Sequence, residues 1–246
     1  MNQGYGKKRT AARTILAAVA AVVSCTAALT ACGAPAEPAA RTDGKPAAAP
    51  EPLSQTALTA RALTPGEEAG PYRTAEYTVS GGPPSDDYTA APAVCQPLVG
   101  LRAARGGPAA QVHRRLADPG EPQGADVAVQ LRTYAAGRAA GVLEDLRTAG
   151  QKCAGGFAEV RGTNRGTYTG VGKLPAPAGV GDEAQAFRLA LLDGKGGATS
   201  YEYLTVVRSG PTVLSFRAQT LEGTDLGGVP REIVDAQWEK FSSLKH

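Results

Sequence analysis

Near the C-terminus, Tyr201–Arg208 (YEYLTVVR) and Thr212–Thr220 (TVLSFRAQT) are separated only by Ser209-Gly210-Pro211. Side chains alternate across a strand with a period of two. A Gly- and Pro-bearing connection this short lets two such runs pair only by turning back, so they predict an antiparallel hairpin. Ala184–Leu192 (AQAFRLALL) predicts another strand. Asp126–Tyr134 carries Val127, Val129, Leu131 and Thr133 on one side. Ala110–Leu116 sets Ala110, Val112, Arg114 and Leu116 against Gln111, His113 and Arg115, and Asp118–Gly124 links these two runs. Tyr72–Ser80 and Thr167–Leu174 alternate more loosely and predict further strands, with Gly81-Gly82-Pro83-Pro84 as a loop.

Helical periodicity interrupts this pattern in four places. In Ala135–Lys152, Val142, Leu146, Ala149 and Cys153 fall at i, i+4, i+7 and i+11, and Gly155-Gly156 closes the helix. Ala93–Ala104 places Val94, Leu98 and Leu101 on one face, with Cys95 and Pro97 in the first turn. Leu53–Leu63 predicts a short helix stopped by Thr64-Pro65-Gly66. Pro230–Leu244 predicts the last, with Val234, Trp238 and Phe241 as its stripe and Ile233 and Leu244 beside it. The fold class expected is α+β: a central antiparallel sheet with helices packed on it, in one globular domain over 53–246. No internal repeat occurs.

The N-terminus predicts a destination. Lys7, Lys8, Arg9 and Arg13 precede an apolar block from Ile15 to Leu29, and no acidic residue stands before Cys32. This is the pattern of a secretory signal peptide. Its ending, Leu29-Thr30-Ala31-Cys32, resembles the lipobox of bacterial lipoproteins. The resemblance implies that residues 1–31 are removed, that Cys32 is acylated, and that the domain is held at the extracytoplasmic face of the cell membrane. Val22-Val23-Ser24-Cys25 is a second, weaker motif of this kind, but cutting there would leave an Ala27-Ala28-Leu29 stub. A signal peptide cut elsewhere and a transmembrane anchor are the alternatives. The apolar block, about 15 residues, is short beside the roughly 20 a bilayer requires.

The chain's formal net charge of +3 is outweighed by the four basic residues of the leader, so the remainder carries about −1. That leaves no basic surface for nucleic acid. Residues 32–52, GAPAEPAARTDGKPAAAPEP after the cysteine, lack periodicity and large apolar side chains and predict a disordered tether. Its reach lies between about 25 Å as a coil and about 60 Å if stiffened by proline.

With Cys25 and Cys32 assigned to leader and lipid, Cys95 and Cys153 remain. Outside the membrane such a pair favours a disulfide, which would close a loop of about 59 residues worth about 4 kcal/mol by chain entropy. Both cysteines lie on apolar helical segments, so the bridge would lock two helices on one side of the sheet. Two buried thiols that never meet are the alternative.

Leu143-Glu144-Asp145-Leu146 leading to Cys153-Ala154-Gly155-Gly156, then Gly181-Asp182-Glu183-Ala184, Val206-Val207-Arg208-Ser209-Gly210 and a C-terminal helix form a familiar succession. From Leu53 to His246 it resembles the extracellular sensor-like domain found on the PknH type of actinobacterial serine/threonine kinases and on many secreted lipoproteins of the same bacteria. The resemblance implies helices on an antiparallel sheet, a cleft, and binding rather than catalysis. Members of the kinase group carry two disulfides where this chain can form one, and no ligand-contacting residue is carried over.

Catalytic chemistry has few candidates. His113 and His246 are the chain's two histidines, with no HExxH and no second metal ligand spaced near His113. No Gly-x-Ser-x-Gly elbow occurs. Ser242-Ser243-Leu244-Lys245 matches Ser-x-x-Lys at a terminus prone to fraying. Asp86-Asp87 reads as a solvated turn and Asp182-Glu183 as a turn former before a strand, which the resemblance to the sensor-like domain makes the better site candidate of the two. Gly194-Lys195-Gly196-Gly197 reads as a hairpin tip, not a phosphate loop. Tyr72, Tyr77, Tyr88, Tyr201 and Tyr203 could stack on a ligand or simply fill a sheet. No metal or cofactor is expected. The expectation is a non-enzymatic ligand-binding or sensing lipoprotein. Its cleft would lie between sheet and helices, mostly apolar, and its ligand would be an unidentified small molecule or envelope component. A surface-held secreted hydrolase is the alternative.

Overall fold

The computed structural model describes residues 50–77, 88–101, 104–161, 164–192, 199–220 and 224–244. The leader, Cys32, the tether up to residue 49, Asp86-Asp87, Gly194–Gly197, Lys245 and His246 lie outside the described residues.

Among the described residues ten strands form one sheet: β1 (Glu68–Ala69), β2 (Tyr72–Glu76), β3 (Tyr88–Ala91), β4 (Ala110–Ala117), β5 (Ala125–Thr133), β6 (Phe157–Arg161), β7 (Asn164–Leu174), β8 (Glu183–Leu192), β9 (Thr199–Ser209) and β10 (Thr212–Thr220). Their order is β1-β2-β4-β5-β10-β9-β8-β7-β6-β3. Every neighbouring pair is antiparallel. The helices are α1 (Gln55–Ala60), α2 (Gln96–Val99), α3 (Arg138–Lys152) and α4 (Arg231–Ser243). None of the described helices is long and apolar enough to cross a membrane. The expected α+β fold is therefore the fold of the chain.

Alternation on the strands builds two cores, one on each face. Val127, Val129 and Leu131 of β5, with Leu214 and Phe216 of β10, pack with Leu58 of α1 and Ile233, Val234 and Phe241 of α4. On the other face, Phe187 and Leu189 of β8 and Leu204 and Val206 of β9 pack with α3 and the segment around Cys95. Val142, Leu146, Ala149 and Cys153 are all buried, as the helical spacing predicts. At Gly150 an added Cβ would stand 2.3 Å from the Phe187 ring, so glycine lets α3 sit close on β8. Gly156, at φ +103°, passes so near β7 that a Cβ would meet the Tyr168 carbonyl oxygen at 2.2 Å.

The helix expected over Ala93–Ala104 is instead broken. A 3-10 turn over Ala93–Cys95 leads into the single α-turn of α2, and Gly100 is extended at φ −167°, ψ 146°. Leu98 and Leu101 are buried, but Val94 is 41% exposed. Buried contacts fix this path: the Tyr134 hydroxyl donates to the Leu101 carbonyl at 3.1 Å, and a disulfide joins Cys95 to Cys153 with Cα atoms 5.9 Å apart. The bridge therefore ties α3 to a turn and not to a second long helix. Strands β1, β3 and β6 have no counterpart among the sequence expectations.

After β10 the chain returns across the α4 face and is latched there. Asp225 accepts from the Tyr203 hydroxyl, from Arg188 at 2.9 Å and from the Gly227 amide at 2.8 Å. Burial, then the hydrogen bond to Asp225, pushes the Tyr203 phenol up to about 12. The Tyr203 hydrogen bond, then the Gly227 amide, holds Asp225 below the usual carboxylate range. A raised phenol pKa contributes stability that is complete below the ordinary value of 10.0 and is lost as pH climbs towards 12. Tyr203→Phe is therefore expected to flatten the fall in stability across that alkaline window. Urea unfolding at stepped pH checks it, and an unchanged slope contradicts it.

Candidate functional site

Helix α3 lies over β7, β8 and β9, and its cover stops short of β5 and the outer half of β10. The Pro97–Leu101 segment stands at the border. Between that segment and the sheet opens a cleft of about 110 Å³. Its floor is polar: Gln130 of β5, Ser215, Arg217 and Gln219 of β10, and Glu202 of β9. Tyr77 and Tyr88 also line it. The mostly apolar opening expected from the sequence is thus not what this cleft is. On β10, Ser215, Arg217 and Gln219 alternate with the buried Leu214, Phe216 and Ala218 and present their polar groups to the cleft.

Strand register explains why the two charges meet. Arg217 pairs with Leu204 and Gln219 with Glu202, so Arg217 and Glu202 are diagonal neighbours on one face of β10 and β9. The Arg217 guanidinium donates to Glu202 Oε2 at 2.5 Å, and the Glu202 side chain is 4% exposed. The same guanidinium donates to the backbone carbonyl of Leu98, and to that of Val99 at 3.3 Å. It thereby bolts the cleft wall to the cleft floor. On the other side of Glu202, the Tyr168 hydroxyl lies 3.0 Å from Glu202 Oε2 and 3.3 Å from Glu159 Oε2. Its one proton can be given to only one of these carboxylates at a time. Glu159 is 2% exposed. At the outer end, Arg115 grips Asp126 with two bonds of 2.8 and 2.7 Å, and that hydrogen bonding raises the Arg115 pKa. Exposed pairs of this kind are worth at most about 1 kcal/mol.

Chemically the cleft presents a cation and an anion side by side, with amide and hydroxyl groups around them and phenol rings in the lining. That set offers polar donors and acceptors to a ligand from the cleft floor. Among the described residues no group of three or more His, Cys, Asp or Glu side chains is placed to hold a metal ion.

The residues singled out from sequence are scattered. Tyr77 and Tyr88 reach the cleft, while Tyr203 is buried in the opposite core. Asp182 shapes a turn: its carboxylate accepts from Arg208 at 2.9 Å and from the Gly210 amide at 2.8 Å, pinning the β9–β10 turn to the start of β8. Glu183 pairs with Arg147 of α3 at 2.7 Å. His113 sits on β4, four strand positions from β8. At about 4.8 Å per strand that is about 19 Å, so His113 and Asp182 do not form one site. Sequence reasoning missed Glu159, Glu202 and Arg217. The available signal was charge inside otherwise apolar runs: Glu202 within YEYLTVVR and Arg217 within TVLSFRAQT.

No protein-family model matches the chain, and no curated protein matches it in sequence. Among solved structures it is similar to the extracellular domain of PknH from Mycobacterium tuberculosis, with 12% identity and a TM-score of 0.50. That match covers 78% of this chain and 97% of the other. A second match is an uncharacterized protein of Mycobacterium smegmatis, the Rv0999 ortholog, with 11% identity, a TM-score of 0.32, and coverage of 71% and 87%. The likeness to the PknH domain is one of fold, and it is the fold that the sequence resemblance implies.

Proposed function

We propose that the chain is a lipid-anchored extracytoplasmic binding protein, non-enzymatic, which takes a polar ligand of low net charge into the cleft over β5, β10 and β9. The observation that carries this reading is the Glu202–Arg217 pair at the cleft, Glu202 buried and Arg217 partly exposed and held by the Leu98 and Val99 carbonyls. Fixed opposite charges beside amides and hydroxyls favour a zwitterionic or hydroxyl-rich molecule over a strongly charged one, whose own charge would be repelled by one partner. The fold likeness to an extracellular domain supports the location, and the lipobox-like Leu29–Cys32 supports the anchor. The hydrolase reading draws no support from the site, because His113 and Asp182 stand apart and Asp182 is engaged in a turn.

Two measurements test this. Cys32→Ala is expected to move the protein from the membrane fraction to the medium, or to leave it uncut. A processed, membrane-bound product would refute the anchor. For the cleft, the Cys32→Ala chain is warmed with and without the lipid-free, water-soluble fraction of cell-envelope extract while melting and products are followed. A ligand that binds only the folded state raises the melting temperature by mass action. Gln219→Tyr, which fills the exposed mouth of the cleft, is expected to abolish that rise. Turnover lost in His113→Ala or Asp182→Ala would favour the hydrolase.

A further inference from the structure

An apolar opening does exist, at another place. Where the chain enters the domain, a groove of about 700 Å³ lies between residues 50–54, the β9–β10 turn and α4. Pro50, Leu53, Pro211, Trp238 and Phe241 supply its apolar walls. Trp238 and Phe241 stack with ring centroids 5.9 Å apart. Arg61 lies over the Phe241 ring at 5.7 Å and donates to the Phe241 carbonyl at 3.2 Å. The lining's one acidic residue, Glu51, is exposed. The volume is that of a small-molecule site.

Two features select the occupant. The walls offer little beyond apolar surface and small hydroxyls, so the body of the ligand is hydrocarbon. A guanidinium stands over the Phe241 ring, so the end of the ligand is an anion. Position agrees with this. Pro50–Ser54, one wall of the groove, is also the root of the segment that runs back to Cys32. On the lipid-anchored reading proposed above, on which this step rests, the groove opens where the tether joins the domain. We propose that it holds the acyl chain of an anionic single-chain lipid, with the head group at Arg61.

The chain contains a single tryptophan, and it is in this groove. Bromine quenches indole emission on contact, so a titration of the full chain bearing Cys32→Ala with dibrominated stearate reads this site alone. Saturable loss of most Trp238 emission is expected. Ser242→Phe, which narrows the groove from the end of α4, is expected to remove that loss. Arg61→Gln is expected to weaken brominated stearate about tenfold, the worth of one charge-assisted hydrogen bond, and to spare the brominated fatty alcohol. Folding of each variant is checked by its melting curve. Absence of quenching below the micellar concentration of stearate overturns the proposal. So does quenching only by vesicles of brominated phosphatidylcholine, which would make the groove a membrane-docking face, or quenching unchanged by Ser242→Phe. The anchor stands or falls separately, on the fractionation of Cys32→Ala.

Discussion

Arg217→Met is expected to lower the free energy of unfolding by about 3–5 kcal/mol, the cost of stranding one member of a buried ion pair. Arg217 is 24% exposed at its side chain and Glu202 is 4% exposed. Without the guanidinium, the Glu202 carboxylate keeps the Tyr168 hydroxyl, which also lies beside Glu159. The Leu98 and Val99 carbonyls lose a donor at the same time. Glu202→Gln added to Arg217→Met removes the stranded charge and is expected to restore part of the loss. Urea unfolding of the two single variants and the double variant measures this directly. A loss below about 1 kcal/mol for Arg217→Met would place the pair with ordinary surface contacts. The envelope-extract melting shift should vanish in the same variant.

The second large effect is expected at the disulfide. Replacing Cys95 and Cys153 together by alanine should lower stability by about 2–4 kcal/mol. Both residues are buried, at 0% and 1% exposure, so the change also removes packed sulfur from the core beneath α3. The consequence reaches the cleft. The Pro97–Leu101 wall is held by Cys95 on one side, by the Arg217 bonds from the floor and by the Tyr134 hydroxyl at Leu101, so loss of the bridge leaves it fastened by the hydrogen bonds alone. Faster amide exchange at Leu98–Leu101 is the expected signature, beside the lower urea midpoint. Equal midpoints for the oxidised protein and the double-alanine variant would contradict it.

Much of the architecture was legible because its causes are local. Strand β10 begins and ends where the alternation of TVLSFRAQT does, and α3 buries the face that its 3.6-residue spacing marks. Helix α4 runs from Arg231, one residue inside the expected start at Pro230. The failures arise where distant contacts override the local pattern. The Val94, Leu98, Leu101 spacing fits a helix, but Gly100 interrupts it, and the contacts that choose the actual path, Cys153 and Tyr134, are remote in sequence. Strand β6 escaped notice because Glu159, a charge, stands on its inward face, where Tyr168 of β7 receives it.

By itself the sequence determined the period-two strands, the tight β9–β10 turn, the apolar face of α3 and the chemistry available: cysteines for one bridge, and a lipobox-like leader. Those depend on neighbours in the chain, where side-chain alternation and turn geometry act. Only the tertiary structure decided which polar faces are covered. Ser215, Arg217 and Gln219 alternate as a solvent-facing edge would, whether water or the Pro97–Leu101 segment lies over them. What distinguishes the two is the register that sets Arg217 diagonal to Glu202 and the bridge that brings Cys95 under α3. Both join residues far apart in sequence, and a charge becomes part of a site only when such pairings close over it.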